Sequence, residues 1–236
     1  MAGPRRELAL ETSTRTATVA VAPSEGTGAA PGDLVEEPLD TGHAHASDLV
    51  PAIARALGAA DAMPRDIARV YVGLGPGSYT GLRVAVAAAV GLAIGADPPE
   101  LFGVPSAAAL LFAELAAGER GVWLSDARSD TLYALVATRT AAGLEDELPL
   151  TIVARDAAAE LLAEHVAGAR RLTDLTSDKA LTATFGADHG FEARAPRARD
   201  VLALGRALRA AGRAPTEPGT LEPLYLRDFQ AKVARR

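Results

Sequence analysis

The stretch that decides the fold is GLGPGSYTGLRVAVAAAVGLAIG, Gly73–Gly95. It opens on glycines and a proline and then runs into an apolar segment whose only charge is Arg83. Pro76 and the glycines block an early helix start, so the spacing predicts a helix from near Thr80 to Gly95. Arg69–Gly73, just before it, reads as a strand. A glycine-rich junction between strand and helix is either an anion seat or plain punctuation. No Gly-Lys-Ser/Thr follows, so it is not a Walker loop. Gly73, Gly75 and Gly77 followed by Gly81 do not complete a dinucleotide G-x-G-x-x-G either.

Upstream, Leu8–Leu10 and Thr16–Ala22 read as strands joined by the polar turn ETSTR, Glu11–Arg15. Ser24–Gly32 is a loop, and Leu34–Leu39 a third strand nearer an edge. Ser47 or Asp48 caps a helix with Pro51 in its first turn. Leu49, Ala52, Ile53, Ala56 and Leu57 form its apolar stripe, and Gly58 closes it. Downstream, Leu101–Val104 is a further strand. A meander of three strands, followed by strands that must join through helices and therefore in parallel, predicts a ribonuclease-H-like α/β layout.

The second half repeats this opening weakly. LSDARSDTLYALVA, Leu124–Ala137, lies on ALETSTRTATVAVA, Ala9–Ala22, with Asp126 on Glu11 and Thr131 on Thr16. Leu148–Val153 reads as a strand, and Asp156–Val166 and Arg197–Ala211 as helices. The expected organisation is an N-terminal lobe over 1–102, a C-terminal lobe over 103–213 and a tail over 214–236, with the polar turns facing a cleft.

Composition removes several function classes. The 236 residues hold no cysteine, so disulfides, thiolate metal sites and a cysteine nucleophile are absent. Of four histidines only His43 and His45 are close in sequence, without a third ligand nearby, which favours a structural role over a metal site. MAGPRRELAL lacks the apolar core of a signal peptide, and Val84–Ile94 is too short to span a membrane. The expectation is a soluble, cytoplasmic protein. The net charge of −6 disfavours a grip on nucleic acid by the whole chain. Residues 190–236 nevertheless carry 10 basic and 5 acidic residues, which reads either as a phosphate contact or as a solvated helix face bearing Arg206, Arg209 and Arg213.

Two features carry chemistry. The turn Thr12-Ser13-Thr14 offers hydroxyls and N–H groups to a phosphate, with Glu11 beside it to orient a metal-bound water and Asp126 as its counterpart. Gly75, Gly77 and Ser78 would add a helix N-terminus. The plain alternative is that such residues simply suit hairpins and strand–helix junctions. The second feature is the Gly81–Gly95 segment, which has no polar face. A helix of this kind must be covered all round, by the second lobe or by a partner.

The strings LETSTRTATVAV, GLGPGSYTGLRVAVAAAVGLAIG, GVPS, DARSDTLYA and PLYLR (Pro223–Arg227) occur in an order similar to that of the TsaB (YeaZ) family of bacterial tRNA-modification proteins. The resemblance spans nearly the whole chain, and the Gly-Pro-Gly-Ser-aromatic-Thr-Gly-hydrophobic-Arg string is its most specific part. It implies a two-lobed fold of the actin, sugar-kinase and Hsp70 (ASKHA) type. It implies a catalytic paralogue, TsaD, as partner, a small ATPase, TsaE, joining the complex, and N6-threonylcarbamoylation of the adenosine beside the anticodon. In that family two N-lobe helices make the contact, here His45–Gly58 and Thr80–Gly95. The implied partner-binding residues are Leu49, Ile53, Ala56, Leu57, Arg83, Val84, Ala85, Ala88 and Leu92. Pairing with its own copy is expected when the partner is absent, and tRNA is reached only through the complex.

The resemblance also marks departures. The catalytic paralogue carries two metal-binding histidines where this chain has Ser106 and Leu110, and neither replaces an imidazole. Glu11 stands where many relatives have Asp. The expectation is a non-catalytic scaffold with no metal or cofactor of its own and with ATP or ADP, if anywhere, at the complex interface. The alternative is an autonomous ASKHA-type ATPase or kinase using Glu11, Thr12–Thr14 and Asp126.

Overall fold

A computed structural model of the chain describes residues 5–25, 33–39, 45–175, 178–186 and 188–226. His43, most of the Ser24–Gly32 loop and the chain from Arg227 onward lie outside the described residues. The first sheet contains β1 (Arg6–Glu11), β2 (Thr18–Pro23), β3 (Val35–Pro38), β4 (Ile67–Gly73) and β5 (Glu100–Val104), in the order β3-β2-β1-β4-β5. The β1–β2 and β2–β3 pairs are antiparallel, and β1–β4 and β4–β5 are parallel. The crossovers are α1 (His45–Ala59) and α2 (Tyr79–Leu92). Pro51 sits well inside α1, because the helix begins before the expected caps.

A second sheet repeats the plan. It holds β6 (Arg120–Arg128), β7 (Thr131–Thr140), β8 (Gly143–Ala154), β9 (Arg170–Thr173) and β10 (Glu192–Ala193), ordered β10-β9-β6-β7-β8. Its meander is antiparallel, and β9 joins β6 in parallel. Read from the outer meander strand inward, both sheets run third, second, first, fourth, fifth. The internal repeat is therefore real, and the molecule has the expected two-lobed ribonuclease-H-like α/β architecture of the ASKHA type.

Period-2 alternation sorts the first sheet into two cores. Leu8, Leu10, Val19, Val21, Val70 and Val72 face α1 and α2. Ala9, Ala20, Ala22, Tyr71 and Phe102 face the opposite way, onto α6 (Ala198–Ala210) and α3 (Ser106–Glu114). Gly205 of α6 lies on the Tyr71 ring, where a side chain would collide. Helix α3 also fills the core beneath Trp123, Leu135 and Leu172, so it is shared by the two sheets. On the far side, α4 (Arg155–Val166) and α5 (Asp178–Phe185) cover the second sheet through Ala158, Leu162 and Leu181.

Helix α6 packs on the first sheet, although it falls within 103–213, the stretch expected to form the other lobe. Its arginines are not a solvated face. Glu7, fully buried on β1, is held by Arg69 at 2.9 Å and by Arg206 at 2.6 Å. Arg209 pairs with Glu25, and Arg197 and Arg199 with Glu36. Of the ten basic residues of 190–236, Arg197, Arg199, Arg206 and Arg209 are thus held by carboxylates of the N-terminal half, whereas Arg213, beyond the end of α6, is exposed and makes no ion pair among the described residues. The tail packs as well. Thr216 N–H donates to the Leu101 carbonyl at 2.7 Å, Leu224 N–H to the Leu74 carbonyl at 2.9 Å, and Leu221 enters the α1–α2 core.

Candidate functional site

The strand–helix junction, the first hairpin and the start of α3 meet at one point. Ser78 N–H donates to the Ser13 carbonyl at 2.7 Å, and the Ser78 hydroxyl accepts from Gly81 N–H at 3.2 Å. A Cβ on Gly77 would overlap Ser13, and one on Gly81 would overlap the Thr12 carbonyl. These glycines let the hairpin press against the N-terminus of α2. Gly75, Gly77 and Ser78 therefore do not form an open anion seat, because Ser13 and Ser78 of the chain itself fill it. Gly75, at φ +92°, donates its N–H to the Ser106 hydroxyl at 3.0 Å and accepts Ser106 N–H at 2.9 Å.

Glu11, Thr12 and Ser13 are buried, and Thr14 is half-exposed. Glu11 Oε1 accepts Ser13 N–H at 2.6 Å. Its Oε2, the Thr12 hydroxyl and the Ser13 hydroxyl are buried without a hydrogen-bond partner. Burial pushes the Glu11 pKa above the usual carboxylate range, and the nearby Ser106 and Ser13 hydroxyls and the Ser13 and Thr12 N–H groups oppose it. The hydroxyls favour the anion without reaching bonding geometry.

Asp126 does not join Glu11 as an equivalent acid. It is half-exposed, accepts Arg128 N–H at 3.2 Å and pairs with Arg155 at 3.3 Å. Arg155 also holds Asp130 at 3.2 Å, closing a hairpin whose Arg128, Ser129 and Asp130 all have left-handed φ. The acid that sequence reasoning missed is Asp174, just after β9. Burial pushes its pKa up to about 6, the Ser125 hydroxyl opposes, and the charges of Asp126 and Glu11 add to the rise. Only the repeat could have signalled it, since β9 is the counterpart of β4. Among the described residues no group of three or more His, Asp or Glu could hold a metal.

Ser106 and Leu110, at the histidine positions of the resemblance, are both buried in α3. Ser106 is committed to Gly75, and Leu110 to the core between the sheets.

The partner-binding residues divide into two groups. Leu49, Ile53, Ala56 and Leu57 of α1 and Ala85 of α2 are buried in the chain's own core and cannot line a partner surface. An amphipathic stripe serves its own sheet first. Val84, Ala88 and Leu92 are half-buried, and Arg83 is exposed. The outer side of α2 is Thr80, Arg83, Ala87 and Gly91, continued by Ile94 just past the helix end, which sequence reasoning did not separate from the inner side. The outer side of α1 includes Val50, Pro51 and Ala54. Val50 is 66% and Ile94 79% exposed, so the helix pair is covered on one side only. Tyr79 and Tyr225, both exposed, pack ring against ring at 5.7 Å and a 41° tilt beside the start of α2. No described helix is long and apolar enough to cross a membrane.

Comparison places the chain among known proteins. A crystal structure of an uncharacterized protein with similarity to peptidase YEAZ from Pseudomonas aeruginosa superposes with a TM-score of 0.76. It is 24% identical, and the match covers 94% of this chain and 100% of that one. YeaZ from Pseudomonas aeruginosa superposes with a TM-score of 0.68, at 24% identity and the same coverage. Both share the fold. No curated protein matches the sequence. The model of the family described as TsaD, tRNA N6-adenosine threonylcarbamoyltransferase, matches residues 37–205. That match takes in more than half of the sequence, and the chain belongs to this tRNA-modification family.

Proposed function

We propose that this chain is the non-catalytic, TsaB-like member of its family. It pairs through the outer sides of α1 and α2 with the catalytic paralogue TsaD for threonylcarbamoylation of tRNA. The observation that carries the reading is the uncovered apolar side of α2, whose only charge is Arg83. Gly91 adds to it. A Cβ there meets nothing within 4 Å, and its φ is not left-handed, so the chain's own fold does not require glycine. Glycine inside a helix costs about 0.5–1 kcal/mol relative to alanine. A second helix approaching closely accounts for keeping it.

The chemistry of the site supports a scaffold. Glu11 is sealed from solvent, Asp126 is engaged by Arg155, and Ser106 and Leu110 serve packing. TsaE joins the pair, tRNA is met through the complex, and an adenine nucleotide belongs to the complex interface. Without its partner, the chain pairs with its own copy through the same helices.

The test replaces Ala87 by Arg on the exposed side, where the isolated fold loses nothing. Pairing with the TsaD-family subunit, read by calorimetry and gel filtration, should fall below detection while the thermal midpoint is kept. Normal pairing would refute the assignment. The unpartnered Thr12 and Ser13 hydroxyls favour a second reading, an autonomous ATPase. ATP hydrolysis by the lone chain that Glu11→Gln abolishes would establish it instead.

A further inference from the structure

Tyr79, Arg83 and Tyr225 form one surface cluster. The Tyr79 and Tyr225 rings pack at 5.7 Å between centres with a 41° tilt, and the Arg83 guanidinium lies 5.2 Å from the Tyr79 ring centre while donating to the Tyr79 hydroxyl at 2.8 Å. Tyr79 is 44% and Tyr225 49% exposed, and Leu226 beside them is also exposed. Tyr225 is not a loose end. The Leu224–Leu74 backbone bond and the buried Leu221 and Pro223 fix the tail immediately before it.

The charge on this cluster is unmatched. Eleven other arginines among the described residues, from Arg5 to Arg209, make ion pairs. Among the described residues Arg83 makes none; neither do Arg6, Arg139 and Arg171, but those donate to backbone carbonyls, whereas Arg83 meets only the neutral Tyr79 phenol and ring. Along α2 it is followed on the same outer side by Ala87 and Gly91, and just past the helix end by the exposed Ile94. The surface is therefore an apolar strip with an aromatic and cationic anchor at its N-terminal end. Tyrosine and arginine are the residue types in which binding energy concentrates, and side chains already held by ring contacts and a hydrogen bond lose little freedom on binding.

We propose that the C-terminal tail is a working part of the partner interface. Tyr225, Tyr79 and Arg83 form an anchor that receives a carboxylate borne by the partner's apolar helix. This rests on the pairing proposed above and extends it to a segment more than 130 residues away in sequence from the helix it serves. The carboxylate is the chemistry that an unpaired guanidinium on an otherwise apolar strip selects.

The experiment titrates the full-length chain and its Tyr225→Ala, Arg83→Gln and Ala87→Arg variants with the TsaD-family subunit, at 50 and 500 mM NaCl. Tyr225→Ala should weaken pairing at least tenfold without moving the thermal midpoint. Arg83→Gln should weaken it several-fold and remove most of the salt dependence seen with the wild type. If Ala87→Arg abolishes pairing while Tyr225→Ala and Arg83→Gln stay within twofold of wild type, the anchor is refuted and the helix interface stands. If Ala87→Arg also pairs normally, the underlying reading fails. If the two anchor variants leave pairing intact but reduce a gel shift of the lone chain with tRNA, the cluster is an RNA contact and the proposal is overturned.

Discussion

Gly91 allows stability and pairing to be driven in opposite directions. It lies near the end of α2, exposed, with open space where a Cβ would stand. Gly91→Ala should therefore stabilise the lone chain by about 0.5–1 kcal/mol. For a protein of this size that raises the thermal midpoint by about 1–4 °C. Gly91→Leu should keep most of the gain, since leucine is also a good helix former and has no neighbour to strike. In the complex the leucine would enter a helix–helix contact. Inserting a side chain into a packed contact costs about 1–3 kcal/mol, which is roughly a 5- to 150-fold rise in Kd. The assays are circular-dichroism melting of the dilute chain, where self-pairing is minimal, and calorimetric titration with the TsaD-family subunit. A stabilised Gly91→Leu chain that pairs as well as wild type would refute the argument that a partner helix explains the glycine. A Gly91→Ala chain that melts lower would show that the residue serves the chain's own fold.

Two further outcomes follow from buried charge. Glu7→Ala leaves Arg69 and Arg206 facing each other without their buried acid, and should cost about 3 kcal/mol in chemical denaturation; a loss under 1 kcal/mol would show that α6 does not depend on this link. Burial pushes the Asp200 pKa up to about 7, opposed by Arg197 N–H and reinforced by Glu36 and Glu114. Because the folded pKa lies above the unfolded value, folding takes up a proton and stability falls as pH rises from about 4 to about 7. Asp200→Asn should flatten that window in a pH series of thermal midpoints, and an unchanged slope would refute it.

Much of the fold was legible because its signals are local. The β1–β2 hairpin follows from apolar residues on either side of a polar turn, α1 from one stripe, and α2 from the Gly-Pro-Gly stop before an apolar run. Helix α3 was not read. SAAALLFAE is apolar from Ala107 to Ala113, since it lies between two sheets and meets solvent only near its end, at Ala113 and Glu114, too little to give it a period. Strands β9 and β10 and helix α5 were also missed. RRLT carries one large apolar residue, Leu172, and Glu192–Ala193 none, so the alternation that marks a strand is missing. The α6 arginines were unreadable for another reason. Their partners Glu7, Glu25 and Glu36 lie more than 160 residues away, and no local pattern encodes such pairs.

The candidate site was legible in its residue types and not in its directions. The repeat aligned Glu11 with Asp126 correctly in topology, yet one is sealed and the other half-exposed. The first hairpin is roofed by the Gly75–Ser78 loop and the start of α3, whereas Arg155 crosses the second and neutralises it. On α1 the stripe was read in the right phase but assigned to the wrong neighbour. Leu49, Ile53, Ala56 and Leu57 satisfy the chain's own sheet, which leaves Val50 and Ala54 to face outward. On α2 no phase could be read, because inner Leu82, Ala85 and Ala89 and outer Ala87 and Gly91, like Ile94 just beyond, are equally apolar. That symmetry is itself informative. A helix that only covered a sheet would stay stable with charges on its outer side, and such charges would favour solubility. α2 has instead kept one arginine there, and that arginine stacks on a tyrosine. That outer composition is what the proposed pairing predicts, since a second protein surface would favour it over charge.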